Sequence, residues 1–190
     1  MAVRRVSVVC VVATLAAIVV AVGALALVPQ EAHASLVSVR TCDGGTIALN
    51  ADENYTLELH NKARKKHGLK ALCVNPILTE AARAHSKKMI DKDYASHNSF
   101  NGESALERLE RFGYTSEGYS YYLYGENIAR GCDSYGAPDN IFRWWMHSSE
   151  HKSNILKKKF REVGIGVSTG TYGTCTQARV YTVDFGVRRS

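Results

Sequence analysis

The chain has 190 residues, a formal net charge of +6, 45% hydrophobic residues, only three prolines and five cysteines. This balance excludes a disordered or collagen-like chain, and the length fits a single globular domain. Basic residues are scattered, with Lys65-Lys66 and Lys157-Lys158-Lys159 the tight clusters, so the basic stripe or zinc spacing of a nucleic-acid module is missing; the surplus charge suits anionic polymers or lipid surfaces instead.

The chain opens with Arg4-Arg5 and then runs from Val6 to Val28 without a charged residue, followed by Ala32-His33-Ala34. A basic start, an apolar run and a small-x-small site predict a secretory signal over residues 1–34. The run exceeds the usual signal core, and about twenty apolar residues can span a bilayer, so an uncleaved, outward-facing anchor is the alternative. Either way the remainder is exported. The expected location is extracellular, with membrane contact only through this segment if it is retained.

Cys10 falls inside the signal, which leaves Cys42, Cys73, Cys132 and Cys175. In an oxidising compartment an even count reads as disulfides, and four cysteines allow three pairings. No C-x-x-C spacing points to a thiol metal site or a redox pair. The order of elements favours Cys42–Cys73, tying an N-terminal arm to the helical part, and Cys132–Cys175, tying two loops.

Residues 35–51 alternate loosely around Asp43-Gly44-Gly45, as an arm or short hairpin would. From Asp52 to His67 the apolar spacing turns helical and Gly68 closes it. Asn75-Pro76 then caps a second helix to about Asp91, with Leu78, Ala82, His85 and Met89 on one face. A third helix fits Ser104–Phe112, with Leu106 and Leu109 inward, and a fourth fits Asp139–Ser148. Tyr119, Tyr121, Tyr122 and Tyr124 crowd the stretch before Gly125-Glu126-Asn127. Val163–Val167 and Ala178–Val187 alternate as strands. Helices first and strands last predict an α+β fold in one domain, residues 52–190.

Several residues offer chemistry. If the fourth helix continued to residue 151, His147 and His151 would share a face at i, i+4, a spacing that can place two imidazoles on one metal. The order His-Ser-Ser-Glu-His is not the His-Glu-x-x-His of a zincin. Ser148 and Ser149 lie beside His151, yet no Gly-x-Ser-x-Gly elbow is present, so Ser148 reads as a helix-end or turn residue. His60, Asn61 and Arg64 read as scaffold hydrogen bonders and His85 as a core histidine. Trp144 and Trp145 read as core on one side and cleft wall on the other. The tyrosine cluster could line a groove for glycans or apolar ligands, or simply pack an edge strand.

Taken in order, these stretches resemble one known family. They are Leu59-His60-Asn61-Lys62-Ala63-Arg64 with Gly68-Leu69, Leu78 with Ala81, His85 and Met89, then Ser96-His97 and Gly113-Tyr114. Gly125-Glu126-Asn127-Ile128-Ala129, Trp145 through Ser148 to His151, Asn154-Ile155-Leu156, Gly164-Ile165-Gly166 and Asp184-Phe185-Gly186 complete the set. The chain is similar over about residues 53–187 to the CAP superfamily, or SCP domain: cysteine-rich secretory proteins, antigen 5 and pathogenesis-related proteins of class 1. The Ser-x-x-His-x-x-Asn-Ile-Leu version resembles its bacterial branch.

The resemblance implies an α-β-α sandwich, a central antiparallel sheet between helices, with a large cleft in which His97, Glu126 and His151 converge. Relatives line this cleft with two histidines and two glutamates, some of which hold a divalent cation such as zinc. Here His147 stands at the position of the second glutamate. The expected cleft residues are therefore His97, Glu126, His147, His151, Tyr122 and Trp145, with His97, Glu126 and His151 as the metal set. Two functions follow. One is an exported binding or interaction module for a lipid, a cell-wall glycan or a host protein. The other is a hydrolase of peptide or cell-wall bonds in which His97, Glu126 and His151 activate water.

Overall fold

The computed structural model describes residues 36–190; the export segment expected over 1–34 lies outside the described residues. No helix of the described residues is long and apolar enough to cross a membrane.

The arm is a hairpin, β1 (Val37–Arg40) and β2 (Thr46–Leu49), turned at Asp43-Gly44-Gly45, where Gly44 takes φ 89°. Helix α1 (Ala51–Lys66) starts from a capping box in which Asn50 and Glu53 satisfy each other's backbone N–H. A two-residue strand, β3 (Cys73–Val74), leads into α2 (Pro76–Asp91), where Asn75 accepts from Ile77 and Leu78 N–H and Pro76 stands in the first turn. Helix α3 (Ala105–Arg111) repeats the capping box with Ser104 and Glu107. The long strand β4 (Tyr121–Cys132) passes through a short 3₁₀ turn to α4 (Pro138–His147), α5 (Ser149–Ile155) and the strands β5 (Glu162–Tyr172) and β6 (Cys175–Arg189).

The main sheet runs β3-β5-β6-β4. It is antiparallel, as expected, except that β3 pairs parallel to β5 through two residues. Successive residues on each strand point to opposite faces, so the sheet has two cores. Val163, Ile165, Tyr181, Val183 and Phe185 meet Leu57, Ile141, Trp145 and Ile155 on the side of α1, α4 and α5. Leu78, Ala81, Leu109 and Tyr114, with Tyr122 and Tyr124 beside them, form the core on the side of α2 and α3. A sheet flanked by helices on both faces is the sandwich the motifs imply.

The Gly164-Ile165-Gly166 motif has a steric cause. A Cβ on Gly164 would lie 2.0 Å from the Leu78 carbonyl carbon, and one on Gly166 2.3 Å from that of Ala82. Helix α2 therefore rests backbone-to-backbone on β5, which only glycine allows. Arg64 ties α1 to the α5–β5 turn, donating to the carbonyls of Lys70, Ile155, Lys157 and Phe160. Asn61 exchanges two hydrogen bonds with the Leu72 backbone. His60 is fully buried, and desolvation lowers its pKa to about 4. These three residues act as scaffold. Disulfides join Cys42 to Cys73 and Cys132 to Cys175.

Candidate functional site

Strand β4 is a sheet edge, and edge carbonyls left bare invite pairing with another chain. Here two side chains close them: Trp145 Nε1 donates to the Ile128 carbonyl at 3.1 Å and Asn154 Nδ2 to the Glu126 carbonyl at 3.1 Å. Asn154 also donates to Asn127 Oδ1, and Asn127 in turn donates to the His151 carbonyl at 3.0 Å. A Cβ on Gly125 would meet Phe160 at 2.9 Å and Asn154 at 3.0 Å, so this contact requires glycine. The Gly-Glu-Asn and Asn-Ile-Leu motifs thus lock α5 onto the edge of the sheet.

Glu126 and Asn127 are neighbours on the strand and so face opposite sides. Glu126 points toward α2 and α3, where it is nearly buried. One oxygen accepts from Arg108 Nη2 of α3 and the other from His97 Nδ1 at 2.6 Å. Arg108 is 1% exposed and also donates to the His97 carbonyl and to Ser99 Oγ, which fixes the α2–α3 loop carrying His97. The hydrogen bond to Glu126 raises the His97 pKa. Across the ladder from Glu126 stands Asp184, fully buried, with neither oxygen paired. Burial, and then the neighbouring Glu126 charge, push the Asp184 carboxyl well above the usual carboxylate range.

His151 stands on α5, close enough to His97 to feel its charge. Its Nδ1 lies 2.7 Å from Ser148 Oγ, and the Trp144 ring packs on it at 4.9 Å between centroids. Partial burial and the nearby His97 charge both lower its pKa. The fourth helix does not continue to residue 151. At Ser148 the backbone turns extended (φ −94°, ψ 126°) and a new helix begins, so His147 and His151 do not share a helix face. His147 instead donates to the Arg143 carbonyl and lines the neighbouring groove.

Two expected cleft residues lie elsewhere. Trp145 is 0% exposed, a core side chain edge-on to Tyr181 and His60, because its indole N–H serves the sheet edge. Trp144 takes its place at the surface, 55% exposed. Tyr122 packs with Tyr114 and Tyr124 in the α2–α3 core and donates to the Tyr114 carbonyl. Sequence reasoning missed Arg108 and Asp184: one sits in a helix that reads as a charged surface, the other in an alternating strand.

A groove of about 860 Å³ opens along this edge. Met89, Ile128, Ala129, Ile141, Trp144 and His147 line it, with Arg130 and Arg143 among its polar members. The volume falls in the range of small-molecule sites, and apolar walls with a few polar groups are their usual chemistry.

The divalent cation implied by the family resemblance does not fit these residues. Both Glu126 oxygens are committed, one of them to a buried guanidinium that already supplies the compensating charge. Among the described residues no three His, Cys, Asp or Glu side chains are grouped to hold a metal ion.

Fold, disulfides and edge site together define an SCP-type module, a bridged α-β-α sandwich with a polar cluster at one sheet edge. A model of the cysteine-rich secretory protein (CAP) family matches residues 57–185, and the chain belongs to that family. It is 34% identical over 146 residues to the uncharacterized protein YkwD of Bacillus subtilis, across 76% of this chain and 54% of the relative. The uncharacterized membrane protein YlbC of the same organism is 32% identical over 121 residues, 63% of this chain and 32% of its own. The chain thus spans about half and about a third of the length of these relatives. An extracellular SCP-domain protein from Bacillus anthracis matches with a TM-score of 0.57 at 28% identity, over 73% of this chain and 40% of that one. An outer surface protein from Borrelia burgdorferi shares the fold, with a TM-score of 0.61 at 18% identity over 82% and 100% of the two chains.

Proposed function

We propose that the protein is an exported CAP module that binds an amphipathic, lipid-like ligand in the groove beside Trp144. The observation that carries this reading is the groove itself, about 860 Å³ with apolar walls and an exposed tryptophan. Apolar surface of this kind stays exposed at a cost of about 25 cal/mol per Å², which a ligand chain recovers. Arg130 and Arg143 at the same groove suit an acidic head group. The export-type leader in the sequence and the extracellular character of the Bacillus anthracis relative support an extracellular location.

The hydrolytic alternative needs a free base. Glu126 is engaged at both oxygens, and among the described residues no carboxylate hydrogen-bonds His151. The polar cluster instead holds the loop that bears His97 against β4. Turnover on peptidoglycan, casein and ester substrates, wild type against Glu126→Gln, tests the choice. No turnover by either protein is the expected result. Turnover abolished by Glu126→Gln would establish the enzyme.

A further inference from the structure

Two lysine-rich stretches that lie far apart in the sequence meet at one end of the fold, and a single buried side chain joins them. Arg64 of α1 is 0% exposed. Its guanidinium donates to the carbonyls of Lys70 at 2.9 Å, Lys157 at 3.1 Å and Phe160 at 3.0 Å. Lys70, which is exposed, and the last turn of α1 are thereby held against the turn Lys157-Lys158-Lys159. On the other flank the sheet supplies Arg189. Its guanidinium lies 5.7 Å from the centroid of the Tyr121 ring, and Lys159 Nζ lies 5.4 Å from the same ring. Lys157 Nζ sits 5.3 Å from the ring of Phe160. Lys70, Lys157, Lys158, Lys159 and Arg189 thus form a continuous band. It lies at the Tyr121 end of β4, about 23 Å along the strand from Ile128 of the groove.

What holds these cations leaves their charge intact. Their partners are aromatic rings, which attract a cation without neutralising it, and carbonyls, as where Arg161 donates to Lys158 and Phe160. Among the described residues no Asp or Glu side chain pairs with Lys70, Lys157, Lys158, Lys159, Arg161 or Arg189. Elsewhere exposed cations are matched: Lys87 with Asp91, Arg111 with Glu103, Arg143 with Asp139. Glu162, next in sequence to the cluster, is turned to the opposite face of the sheet. There it accepts from the Tyr114 hydroxyl and lies 4.0 Å from Arg188. A row of like charges without counter-charge concentrates a positive potential. A polyanion laid along it relieves the repulsion and releases the counterions that both surfaces hold.

We propose that this band binds a linear, phosphodiester-linked polymer. Most of its cations are lysines, point charges that follow a flexible chain of singly charged phosphates without demanding one geometry. A carboxylate chain would favour free guanidinium forks, yet Arg161 already donates to two carbonyls. A bilayer fits less well, because the rings of Tyr121 and Phe160 lie under cations and the band carries no exposed large apolar side chain to insert. The band is separate from the groove beside Trp144, and its binding does not depend on what that groove takes.

Fluorescence anisotropy with labelled, deacylated poly(glycerol phosphate), repeated across a salt series, tests this. Saturable binding is expected, weakened at least about tenfold in Lys158→Gln/Lys159→Gln/Arg189→Gln. The slope of log affinity against log salt should fall by about two in that variant. All three side chains are exposed, so the variant keeps the fold. Lys87→Gln/Lys88→Gln/Lys92→Gln removes the same charge from the other end of the molecule and should change binding less than about twofold. Equal losses in the two variants would overturn the inference, by reducing it to net charge. Absence of saturable binding would overturn it as well. So would tighter binding of polygalacturonate, or of phosphatidylglycerol vesicles, through the same three residues.

Discussion

Arg108 donates to Glu126 across the α3–β4 interface, with the two side chains only 1% and 3% exposed. This pair supports the whole sheet-edge cluster, because Arg108 also holds the His97 carbonyl and Glu126 also holds the His97 ring. Removing one partner of a buried pair leaves the other charge uncompensated. Arg108→Met should therefore destabilise the fold by about 3–5 kcal/mol in urea denaturation. Arg108→Lys should recover only part, because an ammonium cannot reach Glu126, Ser99 and the His97 carbonyl together.

The pH dependence follows from His97. Its pKa in the folded chain is raised by the hydrogen bond it donates to Glu126, so folding favours the protonated ring. The stabilisation is full below the unfolded value of about 6.5 and disappears as pH rises through the higher folded value. His97 is half exposed, so the effect is small. Melting temperatures of wild type and His97→Gln should differ most near pH 5 and converge in alkaline solution. Histidine NMR on Glu126→Gln should show the His97 pKa falling.

Zinc should find no site. Titration into chelator-stripped protein is expected to give no heat beyond dilution, since Arg108 occupies the charge position a cation would take. Stoichiometric zinc binding that vanished in His151→Ala would reverse the conclusion drawn from Glu126.

Helix α2 and strand β5 touch at the backbone of Leu78 and Gly164. Gly164→Ala has no flexible neighbour to displace, so it should cost about 3 kcal/mol, the upper end for overpacking, or prevent folding. Thermal melting of the purified chain, with soluble yield alongside, reads this directly.

Much of this architecture was legible in the sequence, for local reasons. Asn75-Pro76 announces a helix start because caps act within one turn. The alternation of Val180 to Val187 announces β6 because both of its faces are covered by cores. Strand β4 was legible only in part: the tyrosine cluster was open to an edge-strand reading, but the strand's continuation to Cys132 was not. Its Gly125-Glu126-Asn127 segment breaks the apolar alternation, since its polar side chains are satisfied by α3 and α5 rather than by solvent. The end of α4 at Ser148 was legible, but α5, which starts directly after it, was not. Arg108 lies in Leu106-Glu107-Arg108-Leu109-Glu110-Arg111, where every charge reads as surface. Only the carboxylate that a distant strand brings to it reveals its role. The same holds for Trp144 and Trp145, whose spacing could not say which one the edge carbonyl would claim.

Binding of a dansylated fatty acid to wild type, Trp144→Ala and Glu126→Gln tests the central claim most directly. Saturable binding by wild type, at least about tenfold weaker in Trp144→Ala and unchanged in folded Glu126→Gln, is the result predicted. No saturable binding by wild type, or binding insensitive to Trp144→Ala and abolished by Glu126→Gln, would contradict it.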